Sequence, residues 1–454
     1  MEGMKVAAGI TLLLAIAFFL PLAPEAKALE GLDPGLVRLG LALFVGIAFL
    51  WMTEALPLAI TALLVPVAAA VMGLAGVKDS LASFAAPPIF LFLGGFALAS
   101  ALSAQGIDRW LAGKLAQLGK GKFVPVCLYL FGGTALLSMW MSNTATTAMM
   151  IPLALGILDQ FRTEGTASRN AHFLLLGLAY SASIGGLGTI VGSPPNGIAA
   201  KALGISFSGW LKFGIPSVLV LLPAMVATLH FLLKPSDEGG AIEVKAERFE
   251  FTVQRKITLG IFAATALGWI FGTPLGEWTG ISDIDTWVAL SAIGLLAATR
   301  VVTWRQVEEG TEWGVLLLFG GGLALSAVLG TSGASLFMAR LLGGAMGEWP
   351  LWAIITGVVA FVIFLTELSS NTATAALLVP IFLAMAAEFD LATAKLVMPV
   401  AIAASCAFML PVASPPNAIV FGTGRVPQRT MIRVGFVLNL VFIALIAAMS
   451  LLVF

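Results

Sequence analysis

Two short polar clusters interrupt a very apolar chain, and each occurs twice. Ser142-Asn143-Thr144-Ala145-Thr146-Thr147-Ala148 returns as Ser370-Asn371-Thr372-Ala373-Thr374-Ala375-Ala376, and Ser193-Pro194-Pro195-Asn196 returns as Ser414-Pro415-Pro416-Asn417. Ser, Asn and Thr favour helix N-caps. Ahead of an Ala-rich run they start a helix and leave several N–H groups free at its partly positive end. Such an end binds carboxylate or phosphate oxygens. The paired prolines lack N–H donors and break a helix, which frees carbonyls on preceding residues such as Gly192 and Ala413. Carbonyl, hydroxyl and amide oxygens suit hard cations such as Na⁺. Neither Ser-Asn-Thr tip carries Lys, Arg or His. An anion held there must be neutralised by helix ends, amides, hydroxyls and co-bound cations, so its binding is expected to depend on a cation.

The elements that position these clusters follow from composition. Of 454 residues, 59% are hydrophobic and 11% charged, and the mean hydropathy is +1.02. A soluble fold of this length lacks the polar side chains to cover its surface. Twenty-four bases balance twenty-four acids, which leaves no net field to attract nucleic acid. Cys127 and Cys406 are too few for a disulfide framework or a zinc or iron–sulfur site. The chain reads as an all-α polytopic membrane protein.

Each bilayer crossing needs about 20 apolar residues. Such runs lie near 6–22, 36–51, 57–76, 88–107, 172–191, 210–233, 255–273, 284–302, 314–332 and 430–453. Three more, near 124–158, 350–383 and 392–424, are interrupted by polar residues, Gly and Pro. The first run is read as a helix rather than a signal peptide, because no clear small-residue cleavage site follows before Pro21 and Pro24. If 124–158 and 350–383 are re-entrant hairpins, seventeen of the Lys and Arg fall on one side and seven on the other. The richer side is then cytoplasmic. This places the N-terminus in the cytoplasm and the C-terminus outside it, with about eleven transmembrane helices plus two hairpins.

The offsets between matched motifs are 228 for Ser-Asn-Thr, 221 for Ser-Pro-Pro-Asn and 227 for Gly94-Gly95 against Gly321-Gly322. One ordered block has been duplicated, and the span count makes the copies inverted. Inverted repeats with broken helices point to a secondary transporter whose site lies at the repeat interface. An intramembrane enzyme would need a nucleophile–base pair or metal ligands, which two His and two Cys far apart in sequence do not offer. A channel is the other rival, since re-entrant hairpins also line pores. Some features admit plainer readings. Gly185-Gly186-Leu187-Gly188 reads as close helix packing rather than a dinucleotide loop. Trp51 to Glu54 reads as an interfacial anchor with a helix cap rather than a substrate contact. Glu367, the one carboxylate inside a hairpin, is either functional or a hydrogen-bonding anchor.

At these motifs the chain resembles the divalent anion/sodium symporter family over nearly its whole length. The resemblance implies a homodimer working by an elevator motion. A scaffold (1–123 and 257–348) would carry a mobile transport domain (124–233 and 349–454), with a cytoplasmic linker at 234–256. It implies that Asn143, Thr144, Asn371 and Thr372 hold substrate carboxylates, with Ser193, Pro194, Ser414 and Pro415 nearby. Ser138, Ser142, Asn143 and Gly192 would surround one Na⁺, and Thr366, Ser370, Asn371 and Ala413 the second. The function implied is sodium-driven uptake of C4-dicarboxylates such as succinate, fumarate and malate. The alternatives are a sodium-independent exchanger or a carrier of citrate or sulfate. No cofactor is expected beyond Na⁺ as coupling ion.

Overall fold

Backbone amides that face hydrocarbon must pair within their own segment. The computed structural model obeys this: the chain is 80% helical, with no strand among the described residues, 2–22, 27–160, 164–237, 249–346 and 349–454. Pro24, Arg162 and residues 238–248 of the expected linker, with Lys245 and Arg248, lie outside them.

Helix α1 (Glu2–Phe19) precedes the duplicated block. The first copy comprises α2 (Pro34–Thr53), α3 (Leu58–Val71), α4 (Val77–Ala82), α5 (Pro87–Ala104), α6 (Ile107–Leu118), α7 (Phe123–Ser138), α8 (Asn143–Leu158), α9 (Glu164–Gly186), α10 (Pro194–Leu203) and α11 (Phe207–Leu233). The second comprises α12 (Val253–Ile270), α13 (Gly272–Thr279), α14 (Ile284–Ala298), α15 (Trp304–Gly310), α16 (Trp313–Thr331), α17 (Ala334–Met346) and α18 (Leu351–Thr366). It continues through α19 (Asn371–Glu388), α20 (Thr393–Ala404), α21 (Pro415–Gly422) and α22 (Gln428–Leu452). Among the described residues, six helical stretches are long and apolar enough to cross a bilayer, and shorter apolar helices accompany them. The chain is a multi-pass membrane protein.

Packing relates the copies by an approximate two-fold axis. Helix α3 lies on α16, and their counterparts α14 and α5 lie on each other. Both contacts rest on a glycine. A β-carbon at Gly94 would stand 2.6 Å from that of Ala289, and one at Gly321 would stand 2.5 Å from that of Ala62. Each pair is offset by 227 positions. Hydrocarbon provides no hydrophobic drive between helices, so close approach through small residues does the packing. Phe92 meets its own counterpart, Phe319, with ring centroids 5.7 Å apart at 79°. The axis therefore passes between those rings.

Several expectations need correction. The run at 57–76 gives a helix of only 14 residues, because Gly73 turns the chain at φ +70°. The short helices α4, α6, α13, α15 and α17 were not foreseen, since an apolar-run criterion passes over short or mixed segments. Trp51 is no interfacial anchor: it is fully buried, and its Nε1 donates to the Leu58 carbonyl at 3.2 Å. The turn after α2 folds α3 back over it, so an aromatic at a span end became core.

Candidate functional site

Two helix starts and two helix breaks assemble the site. In each copy the chain leaves a hairpin helix, turns through four residues and begins again at Asn143 (α8) or Asn371 (α19). It later unwinds after α9 or α20 and restarts at the Pro pair of α10 or α21. The restarts cross over between copies: α10 packs on α19 and α20, and α21 packs on α8 and α9. That exchange gathers all four motifs around one cavity of about 700 Å³.

The N-caps of the four helices are serines, Ser142, Ser370, Ser193 and Ser414, and all four line the cavity. Ser142 accepts from the Ala145 N–H at 3.2 Å, as a cap should. Ser370 makes no such bond, a departure from the expected symmetry. Each helix end contributes about half a positive charge, and no Lys, Arg or His lines the cavity among the described residues. Positive potential there is built from dipoles.

Asn143, Thr144, Gly192, Pro194, Asn371, Thr372, Ala413 and Pro415 line the same cavity. Of the site residues expected from sequence, only Ser138 and Thr366 do not. Both are fully buried, and each holds its asparagine from behind. The Ser138 hydroxyl donates to Asn143 Oδ1 at 2.7 Å, and the Thr366 hydroxyl lies 2.9 Å from both Asn371 Oδ1 and the Ala404 carbonyl.

Oxygens crowd the first of these positions. A β-carbon at Gly192 would lie 2.5 Å from the Gly186 carbonyl and 2.9 Å from that of Ser138. One at Gly186 would lie 2.8 Å from the Gly192 carbonyl and nearer still to Asn143 Oδ1. Three carbonyls and an amide oxygen thus converge with no base between them, a donor set for a hard monovalent cation. Glycine is required here for space. On the sequence expectation that this position holds Na⁺, Gly192→Ala should push the cluster apart and reduce Na⁺-dependent uptake at least about tenfold, by analogy with losing one support of a metal site. Na⁺ titration of transport reads this directly, and wild-type Na⁺ dependence would contradict the placement. Gly185 does serve close packing, since its β-carbon would collide with the α7 backbone at Ala135.

Sequence reasoning missed what holds the unwound segments. Asn196 Nδ2 donates to the Gly186 and Thr189 carbonyls at 2.8 and 2.7 Å. Asn417 Nδ2 repeats this with Ala407 and Leu410, both at 3.0 Å. The last residue of each Ser-Pro-Pro-Asn motif is therefore a brace. Across the copies, Ser193 Oγ meets Ser405 Oγ at 3.2 Å, and the Tyr180 hydroxyl donates to the Phe408 carbonyl at 2.6 Å.

The copies differ at Glu367. This residue is 3% exposed, and its carboxylate accepts from the N–H groups of Phe408, Met409 and Leu410 at 2.7–3.1 Å and from Asn439 Nδ2 at 2.8 Å. It anchors the hairpin to the unwound segment of the second copy. The first copy has Met139 at the equivalent position, where the backbone carbonyl accepts from the Thr189 hydroxyl.

Residues 48–394 match the family model described as "Citrate transporter". The chain is 47% identical to a transporter of Haemophilus influenzae, the match covering 97% of this chain and 96% of that one. It is 34% identical to the sodium-dependent dicarboxylate transporter SdcS of Staphylococcus saprophyticus, covering 91% and 85%. The fold is similar to that of the Alcanivorax borkumensis YdaH transporter, with TM-score 0.55 and 13% identity over 82% of this chain and 86% of that one. Architecture and relatives define a membrane transporter rather than an enzyme. The chain belongs to the divalent anion/sodium symporter family.

Proposed function

We propose that the protein is a sodium-coupled symporter that brings C4-dicarboxylates such as succinate, fumarate and malate into the cell. The observation that carries this reading is the convergence of four serine-capped helix starts on one cavity with no basic residue among the described residues that line it. Four helix ends together supply about two positive charges, which Glu54 and Glu312 in the same lining offset, so a dianion needs co-bound cations. Asn143, Thr144, Asn371 and Thr372 contact its carboxylates, flanked by Ser193, Pro194, Ser414 and Pro415. One Na⁺ sits among Ser138, Ser142, Asn143 and Gly192, and the other among Thr366, Ser370, Asn371 and Ala413. The buried amide oxygens of Asn196 and Asn417, which accept no hydrogen bond, add acceptors of the same kind. A dianion entering against about −100 mV costs about 4.6 kcal/mol. Two Na⁺ cancel that cost, and a third makes uptake electrogenic. The relative from S. saprophyticus bears a sodium-dependent dicarboxylate name, which supports the coupling ion and the substrate class.

The moving unit comprises 124–233 and 349–454. It slides against a scaffold of 1–123 and 257–348 in each protomer of a homodimer, with eleven transmembrane helices and two re-entrant hairpins per chain. The linker at 234–256 and the N-terminus lie in the cytoplasm of a cell whose plasma membrane holds the protein, and the C-terminus lies outside. Proteoliposomes with labelled succinate test the coupling. Uptake is expected to follow an inward Na⁺ gradient. Uptake that ignores the gradient and requires internal dicarboxylate instead would make the protein an exchanger.

A further inference from the structure

The cavity carries charges that this scheme does not use. Besides the motif residues, its lining comes from the α2–α3 turn, α5 and the start of α16, and it includes two carboxylates, Glu54 and Glu312. Glu54 is exposed and Glu312 half-buried. Glu54 ends α2 in the left-handed region at φ 48°, its N–H bonded to the Leu50 and Trp51 carbonyls. Glu312 precedes α16 without capping it. Neither takes part in any of the three ion pairs among the described residues. Lys5, whose Nζ reaches the Thr53 carbonyl at 3.0 Å, pairs with backbone rather than with the neighbouring Glu54.

Two unneutralised carboxylates in the wall of an anion cavity repel every anion, and Coulomb repulsion grows in proportion to the anion's charge. A trianion is opposed half as strongly again as a dianion. Size offers no such discrimination, because about 700 Å³ accommodates a six-carbon acid as readily as a four-carbon one. Selection by a repulsive element is a general route to specificity. Resting on the carrier reading above, we propose that Glu54 and Glu312 act as a charge filter that makes the transporter prefer dianions to trianions.

The experiment compares uptake of labelled succinate and labelled citrate in proteoliposomes, at fixed Na⁺ and at a pH where citrate is fully ionised. Wild-type protein is expected to favour succinate. Glu54→Gln and Glu312→Gln should each raise the citrate-to-succinate ratio, by about fivefold as an order of magnitude for removing one partly screened unit charge. The double variant should raise it further, whereas Glu54→Asp and Glu312→Asp should stay near the wild-type ratio. A ratio unmoved by the double Gln variant would overturn the filter. Wild-type liposomes that take up neither acid would overturn the underlying carrier reading, an outcome seen before any variant is compared.

Discussion

Asn143→Ala is expected to abolish Na⁺-dependent succinate uptake while leaving a folded protein. In the proposed scheme the Asn143 Oδ1 atom belongs to the first Na⁺ site. It accepts the Ser138 hydroxyl at 2.7 Å and faces the backbone at Gly186. Truncation removes one of the converging oxygens and leaves the Ser138 hydroxyl without its acceptor. An interaction of a polar group with a charge is worth about 1.5–3 kcal/mol, so apparent Na⁺ affinity should fall by about 10- to 150-fold. Dicarboxylate affinity should fall with it, because the anion depends on the co-bound cation. Asn371→Ala should behave alike through Thr366, whose hydroxyl is 2.9 Å from Asn371 Oδ1. Uptake measured across a Na⁺ series, with size-exclusion profiles as the folding control, reads both effects. Wild-type uptake in either variant would remove that residue from the site.

Glu367→Ala is expected to act on stability before transport. Its carboxylate satisfies three consecutive backbone N–H groups and the Asn439 amide inside the membrane domain. Neither water nor lipid replaces those acceptors at a site this buried. Each stranded donor costs about 1–3 kcal/mol. The low end of that sum, about 4 kcal/mol, should lower the melting temperature in detergent by about 4 °C for a chain of this length. Glu367→Gln should fall between, because its amide nitrogen confronts donors that need an acceptor. An alanine variant that melts with the wild type would show that the unwound segment is held by other contacts.

The four chemical motifs were legible because they recur, and because Ser-Asn-Thr and Ser-Pro-Pro-Asn have local meanings: one starts a helix and the other breaks one. The supports of those motifs were not legible. Ser193 meets Ser405 across 212 positions, and Tyr180 reaches Phe408 across 228. Neither pair has a spacing that local periodicity reveals. Asn439 lies in an apolar helix where a single amide reads as ordinary packing until Glu367 is seen beside it. The duplication did carry one non-local fact. Residues offset by a constant 227 are related by an axis, and the contact between Phe92 and Phe319 follows once that axis exists. The reading of Trp51 failed for a physical reason: the hydropathy of α2 does not say which later helix will cover its end.

Thermal unfolding of the purified protein, with succinate titrated in Na⁺ or in choline at equal ionic strength, tests the central claim most directly. In the proposed scheme, uncharged oxygens and helix dipoles hold the dianion only together with its cations. Succinate at a hundredfold excess over its dissociation constant should therefore stabilise the fold by about 2.7 kcal/mol in Na⁺ and leave the choline sample unmoved. Equal stabilisation in both salts would mean that the anion is held without a cation, contrary to the account.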